Sequence, residues 1–257
     1  MSEVIVEMVD AHVMLVRINR PEKRNAINGA VAEGIAAAVD QSESEPAIRC
    51  VVLASTGTDS FSAGADLSEV AAGRAASLVI SGKGFAGLIE AKRTRPWIAA
   101  VDAVALGGGF EMCLACDMIV ASRRARFGLP EPKRGLIAGG GGVFRVAQRL
   151  PSNIASELLT VGEPLEAERA WQLGLVNRLT EPDGAVGAAL DMARSIAANA
   201  PLSVRHSLAV GRLAAIGDET PLFEAMRAAG AVIRTSADAG EGVQAFLEKR
   251  PAKWRGE

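Results

Sequence analysis

The sequence predicts an α/β fold of short strand–turn–helix units with a helical C-terminal region. Three observations carry this. Apolar runs of strand length alternate with stretches of helical period over the first 140 residues. Glycines stand at the junctions between them, where tight turns are needed. Beyond about Gly142 the pattern becomes helical, punctuated by Pro151, Pro164, Pro182, Pro201 and Pro221. Strands alternating with helices in this way suggest stacked β/α units.

Taken in order, Val13–Ile18 reads as a strand stopped by Asn19, Arg20 and Pro21. Asn28 is placed to cap a helix whose apolar face carries Val31, Ile35 and Val39. Residues 50–54 form the next strand, residues 97–106 read as strand-like, 110–115 as helix and 118–121 as a further strand. Residues 176–179 are one more strand within the helical half, and Thr220 before Pro221 makes a helix start. No low-complexity linker divides the chain. Residues 1–195 therefore read as an α/β core and 196–257 as a helical extension of the same folding unit.

With 257 residues, 49% of them hydrophobic, the chain can bury a sizeable core. A formal net charge of −2 leaves no polybasic field for nucleic acid or anionic lipid, so neither is an expected partner. Three cysteines, an odd number without framework spacing, suit reduced thiols in the cytoplasm. Cys113 and Cys116 have redox or zinc spacing, but no second Cys/His pair completes a site, so no metal is expected. His12 and His206 are isolated. The acidic N-terminus carries no signal-like core, and the longest apolar stretch, around residues 97–110, is broken by Asp102.

The informative motifs are FSAGADL at residues 61–67, LGGGFE at 106–111 and FGLPE at 127–131. Two glycine turns allow two backbone N–H groups to aim at one oxygen, with Glu111 and Glu131 alongside. That set suits a thioester whose carbonyl oxygen gathers negative charge as the α-carbon exchanges a proton. The second turn opens a helix, whose N-terminus favours an anion, and Glu111 lies three residues past Gly108 on the same helical face. Against this, a first-turn glutamate and a loop carboxylate after Pro130 are both common on structural grounds. Their joint placement is what points to chemistry.

At these residues the chain resembles the enoyl-CoA hydratase/isomerase family, the crotonases. The resemblance extends to NRPEKRNAI at 19–27, Cys116 with Asp117, GLVN at 174–177, Ala200 with Pro201 and FLEKR at 246–250. It implies a spiral of stacked β-β-α units with C-terminal helices that mediate trimerisation, as a homotrimer or dimer of trimers. It also implies an acyl-CoA thioester as substrate, with no cofactor beyond the coenzyme A that the substrate carries. The oxyanion-binding N–H groups would belong to Ala65 and Gly108, with Glu111 chiefly as base and Glu131 as proton donor. Ala63, Asp66 and Leu67 would flank the substrate; Lys23 and Arg24 would lie near the nucleotide, Lys249 near coenzyme A, and Phe246 along the acyl tunnel. Surface charge and core packing are the competing readings for the last four.

Two further glycine patterns compete for a phosphate. GKGFAG at residues 82–87 matches a dinucleotide-binding spacing, but only a short strand candidate stands before it and no acidic residue follows at the required distance. The run from Gly139 to Gly142 has the composition of a phosphate cradle, but it reads better as a flexible lead into the helix through Phe144, close to the acyl site. The segments 129–137 and 249–254 look closer to the carnitine-related (crotonobetainyl-CoA) branch than to the fatty-acid branch. Hydration of a 2-enoyl-CoA is the leading expectation. The alternatives are an enoyl-CoA isomerase or other thioester-enolate enzyme, and an acyl-CoA-binding protein without turnover.

Overall fold

In the computed structural model, the described residues are 2–216, 220, 224, 227, 228, 230, 231 and 234–250. Pro221 of the expected helix start and most of the 249–254 segment lie outside them. The chain opens with β1 (Val4–Met8) and β2 (Val13–Ile18), then α1 (Gly29–Ser44), β3 (Cys50–Ser55), β4 (Ser60–Ser62) and the short α2 (Leu67–Ala71). The hairpin β5 (Val79–Ile80) and β6 (Gly84–Phe85) follows, then β7 (Trp97–Val101), β8 (Val104–Leu106) and α3 (Gly108–Ala115). Next come β9 (Met118–Ser122), β10 (Arg126–Gly128), a 3-10 turn Glu131–Arg134, α4 (Gly142–Arg149) and α5 (Ser152–Val161). The described part closes with β11 (Leu165–Glu166), α6 (Ala167–Gln172), β12 (Arg178–Thr180), α7 (Ala185–Ala197), α8 (Pro201–Ile216) and α9 (Ala237–Leu247).

Six strands form one sheet in the order β1-β2-β3-β7-β9-β12, antiparallel at β1–β2 and parallel thereafter. Its central strands are buried on both faces, which is why residues 50–54 read as an unbroken apolar run instead of alternating. One face carries Met14, Val16, Val51, Leu53 and Ala99 into the main core with α1 and α3. On the other face, Leu15, Val52, Ile98 and Val120 meet Ala185, Ala189, Ala193 and Ala197 of α7. Alanine every fourth residue puts a smooth stripe on one side of that helix.

A second sheet, β11-β10-β8-β4, pairs β4, β8 and β10 in parallel. Residues 97–106 are thus two strands in two sheets, a correction to the single strand expected. The change occurs at Asp102. Its carbonyl accepts the Ser122 hydroxyl at 2.8 Å and the Arg124 guanidinium, while its carboxylate accepts the Ala185 N–H, so the backbone cannot continue the first ladder. The late strand likewise begins two residues beyond expectation, at Arg178. The expected core boundary at residue 195 falls within α7.

Candidate active site

The first glycine turn is organised from beneath by Asn25, a buried residue at φ +53°. Its amide donates to the carbonyls of Thr56 and Ser60, both at 2.8 Å, and its carbonyl accepts the Ser62 hydroxyl. Ala63 donates to Arg24, and Gly64 donates to the Ser62 hydroxyl. Ile27 pairs with Ala65 through the Gly64 carbonyl and the Asp66 N–H. In such a parallel bridge the paired residue's own N–H faces the opposite side, so the Ala65 N–H points away from Ile27.

The second turn packs on Gly64. A β-carbon on Gly64, whose φ is +88°, would lie 2.9 Å from the Gly108 nitrogen and from the Leu106 carbonyl oxygen. One on Gly109 would lie 2.3 Å from the Ser62 carbonyl oxygen. The two turns touch backbone to backbone, which only glycine permits. Gly107 takes φ +53° as the N-cap of α3, and Gly108 stands in the first turn, where helix geometry gives its N–H no intrahelical acceptor. The Phe85 ring lies over Gly108, 2.5 Å from where a β-carbon would stand.

Glu111 and Glu131 are brought to this junction in contrasting surroundings. The Glu111 side chain is buried, and one carboxylate oxygen accepts the N–H groups of Gly140 at 2.7 Å and Gly142 at 2.9 Å. Burial raises its pKa; the two N–H donors and the Arg145 guanidinium oppose the rise. Glu131 opens the 3-10 turn, with its carboxyl against Gly107. Its Oε2 is buried without a hydrogen-bond partner. Burial and then the Glu111 charge push the Glu131 pKa up to about 7.

The run from Gly139 to Gly142 is therefore a cradle, and the anion in it is the chain's own carboxylate. Gly141 at φ +92° turns the neighbouring N–H groups toward Glu111 and caps α4. The spacing of the run had the right composition for an anion; what it could not reveal was a partner 29 to 31 residues upstream.

The remaining candidates divide by element. Ala63 is exposed and Leu67 half-buried at the start of α2. Asp66 caps that helix through the Ser68 N–H and meets Arg20 at 3.1 Å. Burial works against its charge, but the Ser68 hydrogen bonds and Arg20 outweigh it and hold the pKa below the ordinary value. Lys23 and Arg24 are exposed beside the first turn. Phe246 lies on α9 with the Arg134 guanidinium 4.8 Å from its ring centre, and Lys249 is exposed just beyond. The glycines of residues 82–87 make the β5–β6 turn and let Gly87 press against α1, where a β-carbon would lie 2.5 Å from the Ala32 carbonyl oxygen. Cys50, Cys113 and Cys116 are buried free thiols, and burial lifts Cys50 and Cys116 to about 12. Among the described residues no cluster of His, Cys, Asp or Glu is arranged to hold a metal, and no helix is long and apolar enough to cross a membrane.

A family model described as enoyl-CoA hydratase/isomerase matches residues 9–257. The chain belongs to this family. Among relatives, a mevalonyl-coenzyme A hydratase of Aspergillus fumigatus is 36% identical, over 98% of this chain and 94% of its own length. A carnitinyl-CoA dehydratase of Citrobacter koseri is 35% identical over 95% of each chain. The crystal structure of a carnitinyl-CoA hydratase from Mycobacterium avium superimposes with a TM-score of 0.93 at 41% identity, covering both chains fully. The fold of the enoyl-CoA hydratase/isomerase family is thus the fold of this chain.

Proposed function

We propose that the protein is an enoyl-CoA hydratase, adding water across the C2=C3 bond of a 2-enoyl-CoA. The observation that carries the reading is the contrast between two buried carboxyls beside a contacting pair of glycine turns. Burial raises the Glu111 pKa overall, but its two N–H donors and Arg145 favour the charged form, and in that form it takes a proton from water as the water attacks C3. Glu131, whose Oε2 has no donor and whose burial outweighs its own backbone N–H, is the group equipped to keep its proton near neutrality, and it delivers that proton to C2. The N–H groups of Ala65 and Gly108 hold the thioester oxygen as it takes on negative charge.

The same reading needs no cofactor beyond the coenzyme A of the substrate. Lys23, Arg24 and Lys249 supply charge for its phosphates, and Phe246 with Phe85 supplies apolar surface. A carnitine-related acyl group is the substrate proposed, on the 129–137 segment and the relatives named for carnitinyl-CoA. The assembly proposed is a homotrimer or dimer of trimers in the cytoplasm, where the three thiols stay reduced. Exposed Leu202 and Val210 on α8 are surfaces such an assembly would cover.

Loss of the conjugated thioester absorbance with crotonyl-CoA, compared with crotonobetainyl-CoA, tests the reading. Glu111→Gln and Glu131→Gln should each lower the rate by about 10²- to 10⁴-fold. Undiminished hydration in the double Gln variant overturns it, as does conversion of a 3-enoyl thioester with none of the 2-enoyl.

A further inference from the structure

Oε2 of Glu131 has no partner, and the backbone donor that favours the carboxylate is the residue's own N–H, so the carboxyl takes its position from its own backbone. That backbone is the 3-10 turn Glu131–Arg134, closed by Gly135 in the left-handed region and by the Leu136 N–H donating to the Glu131 carbonyl at 3.0 Å. Two elements grip it from outside. At the end of α5, Gly162 packs on the Lys133 side chain, which pairs with Glu163. On the other side, Gly242 of α9 is buried against the Arg134 backbone: a β-carbon there would lie 1.8 Å from the Arg134 carbonyl oxygen and 2.3 Å from its carbonyl carbon. One helical turn later the Phe246 ring lies beneath the Arg134 guanidinium.

We propose that Gly242 is a positioning residue for the hydration step, setting through the Arg134 backbone where the Glu131 carboxyl stands; this rests on the reading of Glu131 as proton donor. A glycine inside a helix is less favourable than alanine, so its place here answers to the contact it allows. Adding one methyl group forces α9 and the turn apart, and a misplacement of about 1 Å at a reacting group can cost on the order of 10²-fold. The helix itself is held together within its own segment, by the Ser236 cap at 3.2 Å and by Arg250 on both Glu241 oxygens at 2.6 and 3.0 Å. Gly240, in the same helix, faces open space and supplies the control.

The test compares Gly242→Ala with Gly240→Ala in steady-state hydration of crotonyl-CoA. Gly242→Ala should lower kcat by about tenfold or more with KM changed by less than about threefold, while Gly240→Ala stays within about twofold of the parent in both. In a Glu131→Gln background Gly242→Ala should add no further loss beyond about twofold, whereas in Glu111→Gln it should multiply the defect. Should Gly242→Ala not fold, Phe246→Leu replaces it in both backgrounds, with an expected loss of about threefold that vanishes without Glu131. Unchanged kcat, or a loss equally large on top of Glu131→Gln, overturns the positioning role alone. Full activity in Glu131→Gln by itself overturns the proton-donor reading, and the inference falls with it.

Discussion

At the scale of single residues, two glutamates with the same side chain are separated by what donates to them. Burial raises both, but Glu111 has two backbone N–H groups on one oxygen that oppose the rise; at Glu131 a neighbouring negative charge adds to burial, and together they lift it from 4.5 to about 7. A carboxyl whose pKa rises on folding favours the folded state below its unfolded pKa, and that contribution disappears as pH climbs through the folded value. The stability of the protein should therefore fall between about pH 4.5 and 8 through Glu131 ionisation. Glutamine keeps the shape without the charge. Glu131→Gln should gain on the parent across that window, reaching on the order of 2–3 kcal/mol at about pH 8. Urea unfolding of both proteins at about pH 5 and about pH 8 measures it, and parallel pH dependence in the two would refute the buried, unsolvated setting of Glu131.

At the scale of elements, what was legible in the sequence is what local chemistry dictates. Val13–Ile18 is a strand with the expected bounds, and the Asn28 side chain accepts the Val31 N–H at 2.9 Å to start α1. Both follow from residues a few positions apart. The break at Asp102 was not legible, because Ser122, Arg124 and Ala185 that cause it come from distant parts of the chain. The cradle from Gly139 to Gly142 was not legible as one: the run reads as a flexible lead into the helix, because its carboxylate partner comes from Glu111 through long-range folding. Its geometry leaves little tolerance. A β-carbon at Gly140 would stand 2.7 Å from the second Glu111 oxygen. Gly140→Ala should push the carboxylate off its two donors and lower hydration kcat by about 10²-fold, with the far-ultraviolet circular dichroism of the parent retained. Parent-like kcat in that variant would mean the cradle does not set the position of Glu111.

At the scale of the whole molecule, the α/β class could be read from strands alternating with helices, but the docking of α8 could not. It depends on one arginine meeting a carboxylate 95 residues away. The Asp117 carboxylate accepts Arg212 Nε at 2.8 Å and Nη2 at 2.9 Å, and one of its oxygens also accepts the Trp97 N–H at 2.8 Å, where β7 begins. The same guanidinium donates to the carbonyls of Arg93 and Arg95. One carboxylate thus ties the start of β7, the end of α3 and the middle of α8 together, with Asp117 about one-tenth exposed. Asp117→Ala leaves a partly buried guanidinium without its counter-charge and the Trp97 N–H without an acceptor. The expected loss is about 2–4 kcal/mol in urea unfolding. Asp117→Asn retains an oxygen for Trp97 and should lose about half as much, because a neutral amide restores the hydrogen bond but not the charge. If both variants unfold with the parent's midpoint, α8 is held by its apolar contacts and the ion pair contributes nothing to its docking.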